Sequence, residues 1–326
     1  MKLQQLEYVL EIVKQGFHIS GAANSLYTSQ PSVSRQLQQF EEELGFAIFE
    51  RSRNHIEGLT PAGEMVVEIA KRVMSDVGDL ASLKDDLMSS NRGTLTIATT
   101  HTVANYVLPD VIRSFIKAYP DVQVVLIQSD PEGICALADE GTADLAIGTD
   151  SLSAHPRLVE LPCFTLDRVV VVPDGHPLLA RGEITLEDVA AYPIITYDHH
   201  FSGYWKVRAA FEAAGLDPKV ALSAIDAGVC KTYVSAGLGI AVLTSVTFDA
   251  QRDAGLRSIP AGHLFQSSTT SIRIRANTFL RPYLLDFVHR VSPRLTPEVV
   301  RAMVQRGPEL SGSAARFPAQ QMAGRV

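Results

Sequence analysis

The sequence predicts a chain of class α plus α/β: a small helical head, one long helix, and an α/β part in two subdomains. Three observations carry this. Apolar residues recur at helical spacing through Leu44. A near-heptad apolar repeat then runs from Val66 to Leu87. From Thr94 onward, short apolar runs alternate with amphipathic helical stretches. The 326 residues suit more than one domain.

In the head, Leu3, Leu6, Leu10 and Val13 share one helical face, and Ile19, Ala22, Ala23 and Leu26 another. Val33, Leu37, Phe40 and Leu44 form a third stripe. Thr28 and Ser29 are natural caps, and Pro31 suits a first helical turn. Opposite the third stripe lie Pro31, Arg35 and Gln38, flanked by Ser32 and Ser34. These polar side chains donate and accept hydrogen bonds, and Arg35 can pair with guanine or phosphate. Glu41, Glu42 and Glu43 follow on the same helix. Carboxylates repel phosphate, so only the N-terminal half of this helix is expected in a DNA groove. A basic hairpin with Arg51 and Arg53 comes next. This is the layout of a winged helix-turn-helix. A plain three-helix core with a solvated polar face has the same periodicity, and spacing alone leaves the two level.

Residue identities separate them. The pattern AAxxLxxSQPSxSxxLxxxExxLGxxxFxR, continued by Leu59-Thr60-Pro61-Ala62-Gly63, resembles the N-terminal signature of LysR-type transcriptional regulators. Phe40 stands where Leu is usual, which is a change within the core. The resemblance implies that Thr28, Gln30, Pro31, Ser32, Ser34, Arg35 and Gln38 face DNA. It also implies that Arg51 and Arg53 form a basic wing along the phosphates.

Thr60-Pro61 caps and opens the long helix. Its stripe of Val66, Ile69, Val73, Val77, Leu80, Leu83 and Leu87 is too long for the head alone to bury, so the helix is expected to pair with a second copy. Ser89–Gly93 marks a break. Buried strands are expected at Thr94–Thr100, Val122–Gln128, Leu145–Thr149, Val169–Pro173, Ile194–Tyr197, Val220–Ala224, Ile240–Leu243 and Ile272–Ile274. Alternation with helices such as Asp110–Ala118, Lys206–Ala214 and Tyr283–Val291 implies mostly parallel sheets. Chain crossovers are expected near Cys163–Leu166 and Phe265–Ser268. The expected domains are a head at 1–59, a linker helix at 60–90 and an effector domain at 91–305. Its subdomain I covers about 91–163 and 268–305, and subdomain II about 164–267. Residues 306–326 lack periodicity and are expected to carry no regular structure.

Open α/β sheets collect ligands at the carboxyl ends of their strands. Those ends are Thr99–Thr102, Ile127–Ser129, Gly148–Asp150 and Tyr197–Gly203. A single hydroxyl beside a helix start reads as a simple cap, whereas several facing one cleft suit a small oxyanion. Ser129 joins the candidate site on this reading. Thr99–Thr102, Leu161-Pro162-Cys163, Asp226–Gly239 and Thr278–Arg281 are further similar to the CysB/Cbl branch of the LysR family, over about residues 1–300. That resemblance implies an effector domain like a small periplasmic binding protein. It implies an activator of sulfur-acquisition and cysteine-biosynthesis genes, acting as a homodimer or homotetramer on double-stranded operator DNA with RNA polymerase. No cofactor is implied beyond a small effector, a sulfate-like anion or acetylserine. By matching position, Thr100, Thr102, Thr149 and Ser202 hold the anion. Val103 stands where the branch commonly has a Gln beside it. A valine cannot donate there, so the preferred ligand is expected to differ, and regulation of alkanesulfonate use is the alternative.

Several classes are disfavoured. The net charge of −7 speaks against a broadly basic nucleic-acid binder but leaves room for a local patch. Cys135, Cys163 and Cys230 lack metal or disulfide spacing and read as inert buried thiols. No apolar run reaches the roughly 18 residues of a membrane span, and the N-terminus has no signal-peptide character, so a cytoplasmic protein is expected. Neither a nucleophile elbow nor a phosphate-binding glycine loop is found, and the strand ends hold no paired carboxylates, so no enzyme and no catalytic residue is expected. His199 and His200 read as loop residues without a third ligand, so no metal is expected.

Overall fold

The computed structural model describes residues 1–52, 55–88, 92–151, 153–307 and 320–321; the side chains of 75, 79, 81–88, 320 and 321 lie outside that description. Two compact units result and are treated one at a time.

The first unit is the head with its long helix. Helices α1 (Leu3–Lys14), α2 (Ile19–Ser25) and α3 (Gln30–Leu44) precede the antiparallel strands β1 (Phe49–Ser52) and β2 (His55–Leu59), and α4 (Pro61–Met88) follows. Val33, Leu37 and Phe40 of α3 are buried, as their spacing predicts. On α1 the buried stripe is Leu6, Val9 and Ile12, joined by Gln5 and Tyr8, while Leu3 is exposed. This helix is apolar on two overlapping faces, and packing against α2, α3 and α4 selects between them. Gly45 ends α3 in a left-handed conformation (φ 79°), where a side chain would be strained.

The Thr60–Gly63 turn has a specific task. Thr60 Oγ1 donates to the Ala47 carbonyl (2.8 Å) and accepts from Gly63 N–H (2.9 Å). A Cβ on Gly63 would lie 1.9 Å from the Ile48 carbonyl oxygen. Only glycine lets α4 approach the wing this closely. Gly63→Ala is therefore expected to destabilise the head by about 2 kcal/mol or more, through overpacking against backbone. Chemical denaturation checks this, and an unchanged midpoint would contradict the close approach.

Along α4, Val67 and Ala70 are buried, and Val66, Val73 and Met74 pack with them on the head core. Ile69 and Leu80 of the expected stripe are instead 49% and 69% exposed. The stripe thus divides between a head-facing side and an outward one. The side chains of Leu83 and Leu87, and most of the expected break at Ser89–Gly93, fall outside the described residues.

The second unit contains two sheets. The chain runs through β3 (Gly93–Thr99), α5 (His101–Tyr106), α6 (Leu108–Ala118), β4 (Val122–Gln128), α7 (Pro131–Asp139), β5 (Leu145–Gly148) and β6 (Leu158–Leu166). It then enters β7 (Arg168–Pro173), α8 (Leu186–Ala190), β8 (Ile194–Tyr197), α9 (Ser202–Ala213), β9 (Val220–Ala224), α10 (Ala227–Ser235), β10 (Ile240–Thr244) and β11 (Leu256–Pro260). It returns through β12 (Ser268–Arg275), α11 (Pro282–Val291) and α12 (Pro297–Arg306), and β13 (Gln320–Gln321) pairs with β6. The rest of the expected irregular tail falls outside the described residues.

The sheet orders are β4-β3-β5-β12-β6 and β9-β8-β10-β7-β11, with β13 on the outer edge of the first. Three strands in each are parallel and the last two are antiparallel additions. Strands β6 and β11 are absent from the sequence expectation because their polar residues interrupt the apolar runs. The crossovers lie at Asp167 and at 261–267, so Phe164–Leu166 belong to the first sheet, where β6 pairs with Ser268–Thr270. The boundary expected at 163/164 moves accordingly. Apolar clusters cover both faces of the second sheet, with α9 on one and α10 on the other. All three cysteines are free and buried, and burial pushes the Cys163 and Cys230 thiols up to about 12. Among the described residues no helix is long and apolar enough to cross a membrane.

Candidate functional site

The first candidate surface is the solvent face of α3. Gln30, Pro31, Arg35 and Gln38 are exposed, and Thr28, Ser32 and Ser34 are half-buried beside them. Burial of Val33, Leu37 and Phe40 orients this face outward. Arg35 makes no ion pair among the described residues, so its guanidinium is free for an external partner. Arg51 is exposed on β1 but paired with Glu41 (2.7 Å). Arg53 lies outside the described residues. Tyr27, which no spacing in the sequence singles out, is 99% exposed at a left-handed position (φ 49°) in the turn before α3. Such a conformation is uncommon for an aromatic residue and holds the ring out beside the polar face.

The carboxylates at the end of α3 behave differently from the sequence expectation. Glu41 accepts from Ile48 N–H (2.8 Å) and Phe49 N–H (3.3 Å) as well as from Arg51, so it clamps the start of the wing. Glu43 takes the N-terminal ammonium (2.5 Å), whose hydrogen bond holds its carboxyl below the usual range. Two of the three charges expected to repel phosphate are therefore matched within the head. Glu41→Ala leaves the Ile48 amide unpaired and is expected to cost the head about 1–3 kcal/mol. Denaturation of the variant measures it; full stability would show that the clamp contributes nothing.

The second candidate site lies between the two sheets of the α/β unit, in a cleft of about 330 Å³ counting its open mouth. Thr100, Thr102, Thr149, Tyr197, Thr244 and Ser268 bring hydroxyls to it. Thr100 caps α5, Thr149 follows β5, and Tyr197 ends β8. Arg168 sits among them at 2% exposure. Its Nη2 donates to Ser268 Oγ (2.6 Å), while its Nε meets no partner among the described residues. It makes no salt bridge there either. Burial pulls its pKa down, opposed by Tyr197 and Asp150, yet a guanidinium stays charged in proteins. Burial likewise pushes the Tyr197 phenol up, so it is a neutral hydroxyl. A buried cation ringed by neutral hydroxyls calls for an anion.

Glycine eases this packing. A Cβ at Gly203 would come within 3.3 Å of the Arg168 guanidinium and 3.1 Å of the Tyr197 ring. Ser202, the first residue of α9, is buried and donates to Thr149 Oγ1 (3.3 Å). Two of the expected residues face elsewhere. Val103 is fully buried in the first subdomain core with Leu95, Ile97 and Leu108, because one residue beyond Thr102 turns the helix inward. Ser129 packs at the start of α7, where a Cβ on Gly133 would meet its Oγ at 2.2 Å. Neither lines the cleft.

Arg168 and Ser268 escaped the sequence reading for a geometric reason. Strand β7 runs antiparallel to β10 with Arg168 opposite Thr244, so a residue at the start of a strand arrives at the carboxyl edge. Both residues follow directly on the crossovers, and those crossovers were the available signal. The cleft is also tied across: Asn105 Nδ2 contacts Asp226 Oδ2 (3.4 Å), and Lys231 Nζ stands 5.2 Å over the Tyr106 ring while binding Asp253 (2.7 Å). In the loop between β8 and α9, Asp198 Oδ1 contacts both His199 Nδ1 (3.2 Å) and His200 Nδ1 (2.5 Å). Asp198 thus supplies, beside the two histidines, the carboxylate that the sequence expectation holds to be missing.

Comparison with known proteins finds matches to both units of the chain. Residues 3–64 match the family described as bacterial regulatory helix-turn-helix protein, lysR family, and residues 89–309 match the LysR substrate binding domain. The chain is 41% identical over 300 residues to the HTH-type transcriptional regulator CysB of Burkholderia cenocepacia, covering 92% of this chain and 96% of that one. It is 41% identical over 305 residues to SsuR of the same organism, covering 94% and 99%. The crystal structure of the cofactor-binding domain of the Cbl transcriptional regulator superposes with a TM-score of 0.63 at 36% identity, over 66% of this chain and 94% of that one.

Proposed function

Because the chain belongs to the LysR family of bacterial helix-turn-helix transcriptional regulators, we propose that it binds operator DNA through α3 and its wing and regulates sulfur-assimilation genes in response to a small oxyanion held at Arg168. The observation that carries the effector reading is the buried guanidinium, which has hydroxyl neighbours and, among the described residues, no carboxylate on it. A sulfate-like group offers several acceptors to the Arg168 N–H groups and to the surrounding hydroxyls, and charge-assisted bonds of this type are the strong ones. Acetylserine brings a carboxylate to the same donors.

The chain functions as a homo-oligomer on this reading. Ile69 and Leu80 of α4 are exposed apolar residues on one side, and a second copy of the helix would cover them. A paired head reads two half-sites, which predicts dyad symmetry in the operator. The anion acts only by favouring one operator-bound arrangement over another, and so changes how the regulator engages RNA polymerase. The similarity to SsuR, equal to that to CysB, favours one second reading: an alkanesulfonate presents the same oxygens to Arg168 and its organic tail to the mouth.

Thermal-shift screening with sulfate, thiosulfate, acetylserine, adenosine phosphosulfate and alkanesulfonates tests the effector. A ligand that binds the folded state at about a hundred times its Kd adds about 2.7 kcal/mol of stability. Footprinting with the same compounds tests the regulatory step; identical footprints with all of them would defeat the effector claim.

A further inference from the structure

The second subdomain holds another cavity, of about 530 Å³ counting its open mouth, between α9 and the β8–β9 edge of its sheet. It shares no lining residue with the anion cleft. Its walls are apolar: Ile194, Val207 and Phe211 belong to the subdomain core. Its floor carries one polar group. Thr196 is 3% exposed, and its Oγ1 is bonded by no group among the described residues. Alternation along β8 puts Thr196 on the same face as Ile194, toward α9.

Valine has the shape of threonine and would leave nothing unpaired here. A hydroxyl without a protein partner at the floor of an apolar cavity suits an external hydrogen-bonding group. At the rim, Arg208 is engaged by Glu212 (Nε–Oε1 2.5 Å) and by the Tyr204 hydroxyl (3.3 Å), and Asp217 adds a further carboxylate. The rim therefore carries no surplus positive charge and does not attract anions.

We propose that this cavity is a second small-molecule site, for a neutral amphiphile with an apolar body about one ring in size and a hydroxyl or carbonyl directed at Thr196. Helix α9 joins it to the anion cleft, since Ser202 and Gly203 start the helix whose next turns line the cavity. Occupancy of either site then changes the affinity of the other by the same factor. That coupling rests on the anion reading, whereas the site itself does not.

Equilibrium dialysis of the full chain with phenol and toluene as probes tests it. Phenol is expected to bind saturably, about fivefold tighter than toluene, the ratio one hydrogen bond supplies. Thr196→Val should erase the preference and leave toluene bound. Val220→Phe, at a half-exposed rim position, should weaken both probes. Arg168→Met should leave phenol binding intact, which separates this site from the anion cleft. No saturable binding, equal affinities in the parent protein, or a preference that survives Thr196→Val would overturn the proposal, the last because the hydroxyl is then served by water alone.

Discussion

Replacing Arg168 by methionine is expected to abolish the stabilisation of the chain by oxyanions and to weaken their binding by about a hundredfold or more. Two charge-assisted hydrogen bonds at about 1.5–3 kcal/mol each set that scale. The unliganded protein should respond in the opposite direction or not at all. Arg168 is buried with its Nε unpartnered, and removing an uncompensated buried charge relieves a desolvation penalty. The loss of its bond to Ser268 Oγ works against this gain. A binding titration and a thermal melt on the same variant separate the two effects. A variant that keeps its anion-dependent melting shift would show that the hydroxyls alone hold the ligand. A variant that merely unfolds would show that Arg168 is a structural residue. Thr149→Val makes a milder comparison, with one hydroxyl lost and affinity reduced by about fivefold.

Arg35→Ala is expected to lower operator affinity by about 1–3 kcal/mol for each half-site if the side chain pairs with a base. In a symmetric operator the two losses add. If Arg35 pairs with phosphate instead, the loss is uniform across sequences and the salt dependence falls by about one counterion per head. Fluorescence anisotropy over a salt series, with duplexes selected from a random pool, tells these apart. Stability should not change, because Arg35 is exposed and forms no ion pair among the described residues. Unchanged affinity for selected duplexes would mean that α3 is not the reading helix. In that event the α/β unit would remain an anion-binding module without a DNA output.

Much of the head was legible in the sequence. The α3 stripe and its polar opposite face follow from one rotation of about 100° per residue, which is a local property. Thr60, Pro61 and Gly63 were visible as a motif, but the reason for Gly63 was not. That reason is a carbonyl oxygen of Ile48, fifteen residues earlier in the chain. Glu41 is a similar case: its charge is evident in the sequence, its bonds to the wing are not. On α1 the expected stripe of Leu3, Leu6, Leu10 and Val13 overlaps the buried one of Leu6, Val9 and Ile12, and the packing partners decide which face is covered.

In the α/β unit the sequence by itself determined the parallel strands and the hydroxyls at their ends, because apolar runs and cap residues are local signals. The tertiary structure alone decided which of those hydroxyls meet. It turned Val103 into the core and Ser129 toward α7, and it brought Arg168, Ser268 and Gly203 to Thr100, Thr102 and Thr149. The physical reason is the direction of β7 and β12. An antiparallel strand delivers its first residue to the edge where its parallel neighbours deliver their last. Spacing along the chain carries no record of that pairing, so the charge at the centre of the cleft became visible only once the sheets were assembled.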